Sequence, residues 1–445
     1  MSSLNHNLTQ THGFKKLQIE GEIPTQLRGT LYRTGPGLVE RFGNNVHPFL
    51  ADGAITAIQL KEKPEGACNI IKTNKFMEEE AAQKSLYDTN ASFYQRLYNG
   101  LTQNVKNTGN TNILAWNKKL FALMEQGKPV EFSSSNLETI GTSNLDVIQG
   151  SFSAHPHRVE SLKTTFNFGV NGKNIEVFLM HDNGQVEVFY RFEAPWAGII
   201  HDFMVTEKHI VFFIDPAKLI TWRAVLGLKD FSKYFYWDEQ ESTQIIIIPL
   251  SEPEKKIKLE IDPFRVWHFA NAYEEKDTIV VDAFKHKNID VLIKPTELDS
   301  DIPAPELCRF IISLKDKTVI EENVSMSIAE FPIVNPTYIG KKHRYIWTQT
   351  YSDTNGNEGF SRFDTKTQEQ QRWLAPNNHF TSEAIFVPSN QNEQDGWILQ
   401  LIQDSDIKKS YLAIFDSDYI GNDPVAKIWF DHPIPATFHG IFVET

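Results

Sequence analysis

The chain has 445 residues, 40% hydrophobic and 23% charged, enough apolar material for a large core and too much for a disordered chain. The formal net charge of −13 argues against nucleic acid as a partner, because phosphate binding needs clustered Lys and Arg. The only cysteines, Cys68 and Cys308, make no disulfide framework and point to a reducing compartment.

Residues 1–18 are polar, lack the apolar stretch of a signal peptide and read as a flexible tail. A helix is expected to start near 78–84. Residues 163–169 alternate as a strand. Residues 174–180 and 185–191 flank Asp182-Asn183-Gly184, a strong hairpin signal. The runs 209–214 and 244–249 are almost wholly apolar, as in buried strands. Between them, 216–236 is the clearest helical candidate, rich in Trp, Phe, Tyr and Leu and interspersed with Lys218, Arg223, Lys229 and Lys233. Strand patterns resume at 278–283, 344–348, 396–402 and 410–415. No Gly/Ser/Pro-rich linker interrupts the chain, and no uncharged run approaches the ~20 residues of a membrane-spanning helix.

The expectation is a single all-β domain over 1–445, a propeller with loops and helices capping one face, in a cytoplasmic protein. The 216–236 segment has the chemistry of an interfacial helix that would hold the protein at the periphery of a membrane. Equally, it could pack as a cap with its lysines in water.

Four histidines have distinctive settings: Ala154-His155-Pro156-His157, Ile200-His201-Asp202, Trp267-His268-Phe269 and Phe438-His439-Gly440. They are too far apart for one helix or zinc knuckle to gather. A closed circular fold can gather them if each lies at the inner end of a different blade. Four neutral imidazoles with no thiolate suit a redox metal open to a small gas molecule better than structural zinc. Each alone is more often an ordinary core or surface histidine. His157 is a rival to His155, since strand alternation would put both on one face.

In these motifs the chain resembles the carotenoid cleavage oxygenases. The likeness begins at Gly29-Thr30-Leu31-Tyr32-Arg33-Thr34-Gly35-Pro36-Gly37 and continues through Asn110-Thr111-Asn112. It includes Leu123-Met124-Glu125-Gln126-Gly127, Glu330-Phe331-Pro332 and Ser382-Glu383-Ala384, interleaved with the four histidine motifs in family order. One segment departs from the family pattern: the usual Asp-Gly-Asp-Gly-like run is reduced to Leu50-Ala51-Asp52-Gly53.

The resemblance implies a seven-bladed β-propeller with Fe(2+) on its axis. His155, His201, His268 and His439 would be the ligands. Glu125, Glu330 and Glu383 would accept the outer ring N–H of His201, His268 and His439 respectively, fixing each tautomer; His155 would have no such carboxylate. It also implies a dioxygenase that adds both atoms of O2 across a conjugated C=C bond of an apolar polyene, a carotenoid or apocarotenoid, giving two carbonyl products. Met124, Trp267, Phe331 and Phe438, adjacent to these positions, are the expected tunnel lining. A stilbene-cleaving branch of the family carries lysine where this chain has Met124, which points to an apolar substrate. A propeller that binds lipids without catalysis is the alternative of a different class.

Overall fold

The run Ile245-Ile246-Ile247-Ile248 has no polar face, and the packing of the sheets accounts for it. It lies in the strand Thr243–Pro249, between His209–Ile214 and Ile257–Ile261. Ile245 and Ile247 pack with Phe269 and Val281 of the following sheet. Ile246 and Ile248 pack with Phe166 and Phe168 of the preceding one. Successive side chains of a strand point to opposite faces, so a sheet covered on both sides needs apolar residues at every position.

The computed structural model describes residues 6–228, 231–293, 303–324, 328–352 and 356–444. In it seven sheets of four or more strands form a seven-bladed β-propeller. The ring is closed twice. The strand Gly440–Glu444 pairs with Gly29–Leu38 in one sheet, and Gln18–Gly21 pairs with Ala426–Trp429 in its neighbour. Edge strands of neighbouring sheets meet around the ring.

The hairpin expected around Asp182-Asn183-Gly184 is present. Asn174–His181 pairs with Val186–Glu193, and Gly184 takes the left-handed conformation (φ 88°) that the turn requires. The early helix is Asn74–Ala82, capped by Thr73, so it starts ahead of the expected 78–84.

Two expectations are corrected. Within 1–18, residues His12–Lys16 form a strand paired with Glu65–Ile70, and Leu8 and Leu17 pack into the core; the open edge of that sheet supplies the backbone partners. The 216–236 segment is not one helix. Ala217–Leu219 and Phe235–Trp237 pair as a short hairpin around a helix of only Thr221–Leu226. Gly227, at φ 57°, ends that helix in the left-handed conformation. Lys218 is held by Asp238 and Glu241 at 2.8 and 2.9 Å, and Lys229 lies outside the described residues.

Candidate metal centre

Each histidine of interest sits at or near the start of an innermost strand. His155 precedes His157–Val159, His201 precedes Met204–Val205, and His439 immediately precedes Gly440–Glu444. His268 lies inside Arg265–Glu275, where the pairing register slips between Val266 and Phe269. Such a bulge re-aims a side chain, and here it coincides with the histidine. A second slip, between Glu330 and Ile333, surrounds Phe331, which has φ 52°.

The four side chains converge: their candidate ligand atoms all lie within 4.8 Å of one another. The ring centroids of His155 and His201 are 4.3 Å apart, those of His155 and His439 4.7 Å, and those of His268 and His439 5.0 Å. His157 is not part of this group. It lies two residues beyond His155, at the start of its strand, and its Nε2 is 2.7 Å from Asp202 Oδ1. His155 precedes that strand, so alternation does not relate the two rings.

Three carboxylates lie behind the rings. His268 Nδ1 is 2.7 Å from Glu330 Oε2, and His439 Nδ1 is 2.9 Å from Glu383 Oε1. His201 Nδ1 donates to Glu125. With Nδ1 donating, each of these rings presents Nε2 as a lone pair. His155 Nε2 is buried and has no hydrogen-bond partner among the described residues.

His201 Nε2 and His268 Nε2 are 3.2 Å apart. A proton or a metal ion between them relieves the repulsion of two facing lone pairs. Burial, reinforced by the neighbouring histidines, holds His155 well below its ordinary pKa; burial and then His268 do the same for His201. Both are therefore neutral, the form that binds metal. This donor set fits a divalent transition metal. Imidazole suits iron, zinc, copper and nickel alike.

Several partners had no separate signal in the sequence. Glu330 uses its second oxygen to bind His286 Nε2 at 2.8 Å. Burial would raise the Glu330 carboxyl, but His268 and His286 outweigh it and hold it well below the usual carboxylate range. Arg33, fully buried, reaches Glu383 Oε2 at 3.2 Å, Phe438 O at 2.8 Å and Thr437 Oγ1 at 3.0 Å. It ties the approach to His439 to the carboxylate behind that ring. Asp202 accepts from the backbone N–H of Phe269 at 3.1 Å, linking the segments that carry His201 and His268. The signal for Arg33 and Asp202 was their position inside the recognised motifs.

A cavity of about 250 Å³ opens onto this group. Met124, Trp267, Phe331 and Phe438 line it, together with Phe49, His201, His268 and His439. Phe331 stacks on His268 at 4.8 Å, and Trp267 meets His201 edge-on at 4.8 Å. The wall next to the histidines is thus aromatic.

A family model described as retinal pigment epithelial membrane protein matches residues 5–444. The chain belongs to that family, the carotenoid cleavage oxygenases. Among its relatives, it is 30% identical to the apocarotenoid-15,15'-oxygenase of Synechocystis sp., with 96% of this chain and 92% of that protein covered. It is 25% identical to the carotenoid 9,10(9',10')-cleavage dioxygenase 1 of Pisum sativum, over 98% of this chain and 87% of the other. Among solved structures, a cobalt-substituted Synechocystis apocarotenoid oxygenase matches with a TM-score of 0.90 and 26% identity, covering 100% of this chain and 98% of that one. The cobalt in that oxygenase accords with the metal-fitting donor set found here.

Proposed function

We propose that this carotenoid cleavage oxygenase is a non-haem iron(II) dioxygenase of a carotenoid or apocarotenoid. The observation that carries the reading is an apolar, aromatic-walled cavity ending on His201, His268 and His439, each backed by a carboxylate and converging with His155. His155, His201, His268 and His439 would hold Fe(2+), which when bound supplies the redox chemistry that lets O2 react with an alkene. The balance is one C=C bond and the O=O bond broken and two C=O bonds formed, with both oxygen atoms retained in the products.

The protein's own contribution is orientation and charge. Glu125, Glu330 and Glu383 fix the tautomers of their histidines and offset the +2 charge that four neutral ligands leave uncompensated. Phe331, Phe438, Trp267 and Phe49 grip the polyene. Successive double bonds of a polyene are chemically alike, so the bond cleaved is set by which one the cavity places beside the histidines. Met124, beside Glu125, offers a phenol no charged partner, which favours a polyene over a stilbene.

Such a substrate is scarce in water, and collection from a lipid surface fits the exterior. No described helix is long and apolar enough to cross a membrane. The helix Phe93–Thr102 exposes Tyr94, Tyr98 and Leu101, and the neighbouring Thr221–Leu226 exposes Trp222. The two are joined by Arg96 Nε donating to Gly227 O at 2.5 Å. We infer that this pair of helices, rather than one long interfacial helix over 216–236, makes the peripheral contact.

The test is product analysis by mass spectrometry after incubation with a panel of carotenoids, apocarotenals and stilbenes. Paired carbonyl fragments from a polyene are expected. Cleavage of stilbenes alone would transfer the assignment to the phenolic branch.

A further inference from the structure

A second group of metal-ligating side chains lies at the outer edge of the propeller. His12 opens the strand His12–Lys16, and Cys68 is its direct partner across the sheet, in Glu65–Ile70. His432 follows Ala426–Trp429 of the adjoining sheet. The ligand atoms of all three lie within 4.8 Å of one another. Cys68 and His432 are buried at 0% and 2% exposure.

The tautomers are fixed by the outer partners. His12 Nδ1 donates to Gly13 O at 2.8 Å, and His432 Nδ1 donates to Asp431 Oδ1 at 2.7 Å. Both Nε2 atoms are therefore lone pairs. The only proton inside the group is the Cys68 S–H, which is 3.1 Å from Gln10 O and 3.5 Å from His432 Nε2. His12 Nε2 is buried with no hydrogen-bond partner among the described residues. One S–H cannot serve three acceptors, and a buried acceptor left unserved is costly.

We propose that His12, Cys68 and His432 form a second metal site that takes a borderline-soft divalent cation, Zn(II), and staples the N-terminal strand to the sheet before the closing segment. Tetrahedral zinc with Zn–N of ~2.0 Å and Zn–S of ~2.3 Å sets N and S ~3.5 Å apart. The 3.5 Å between Cys68 Sγ and His432 Nε2 matches that spacing. Asp431 orients His432 from behind, as a carboxylate does for a zinc-bound imidazole, and is itself held by Lys15 at 2.9 Å. Binding forms one Zn–S bond and breaks the Cys68 S–H bond; the proton leaves to solvent. The fourth tetrahedral position would be taken by water.

The test separates this site from the four-histidine group by the sulfur, which the latter lacks. Metal-free, full-length protein is titrated anaerobically with Co(II), as wild type, Cys68→Ser and Cys308→Ser. Wild type and Cys308→Ser should bind two Co(II) per chain and develop a near-ultraviolet thiolate-to-cobalt charge-transfer band. Cys68→Ser should bind one and lack the band. A wild-type protein that binds one Co(II) with no such band overturns the proposal, and so does a band that survives Cys68→Ser. His432→Gln keeps the thiol and guards against misfolding of the serine variant. It should also lose the band, and an undiminished band there would again overturn the site.

Discussion

Glu330 stands between two histidines: one carboxylate oxygen is 2.7 Å from His268 Nδ1 and the other 2.8 Å from His286 Nε2. The carboxylate is thereby pinned from both sides, and the His268 ring cannot rotate without breaking a charge-assisted bond.

Replacing Glu330 with Gln keeps an acceptor for His268 and removes the charge. Iron affinity should fall by about 10–100-fold, whereas His268→Ala should abolish retention. Competition with a chelator of known affinity measures both. Unchanged affinity in Glu330→Gln would mean the carboxylate does not support the metal.

Metal uptake should depend on pH through the same pair. Burial alone would lower the pKa of His268, but Glu330 outweighs it and raises it above its ordinary 6.5. In the metal-free protein a proton competes with metal at His268. Uptake should therefore strengthen as pH rises through that raised pKa and level off above it. Glu330→Gln lowers the pKa, so its plateau should begin at lower pH. Titrations between pH ~5.5 and ~8.5 bracket the ordinary value of His and locate both plateaus.

Arg33 is fully buried and bonds Glu383 and the carbonyl of Phe438. Arg33→Met strands a buried carboxylate, which typically costs ~3–5 kcal/mol. A lowered midpoint in denaturant and weakened iron retention are expected together. A normal midpoint with normal iron content would show that Glu383 is neutralised some other way.

Phe331 stacks on His268 while lining the cavity. Phe331→Ala should leave iron content near wild type, lower kcat/KM by roughly 10-fold or more through loss of positioning, and spread cleavage over neighbouring double bonds. Loss of iron in step with activity would instead assign Phe331 to the support of the ring.

The exposed aromatics should matter only when substrate is delivered from lipid. Trp222→Ser combined with Tyr94→Ser should reduce liposome binding and turnover of liposome-borne substrate, with turnover in detergent nearly unchanged. Equal losses in both assays would assign the two helices to the cavity wall.

Much of the propeller was legible because strands buried on both faces leave unbroken apolar runs, as at Ile245–Ile248, and because Asp182-Asn183-Gly184 is a strong turn signal. The grouping of four histidines and three glutamates was legible from ordered motifs, not from periodicity. What was hidden depends on contacts distant in sequence. The bulge that aims His268 arises from register with a partner strand. The 216–236 segment breaks because its ends pair with each other and Gly227 ends the helix. His157 is drawn away by Asp202, and His286 reaches Glu330 from another strand. Residues 12–16 become ordered on an edge strand that their own polarity does not reveal.

The most direct measurement is mass spectrometry of the products formed from an apocarotenal by anaerobically purified, iron(II)-loaded protein after admission of isotopically labelled O2, with His439→Ala as control. The expected result is two carbonyl fragments that together account for every substrate carbon, each carrying one labelled oxygen when trapped before exchange with water, and neither formed by His439→Ala. Intact substrate across the polyene panel from protein that holds one iron per chain, or equal cleavage by His439→Ala, would contradict the account.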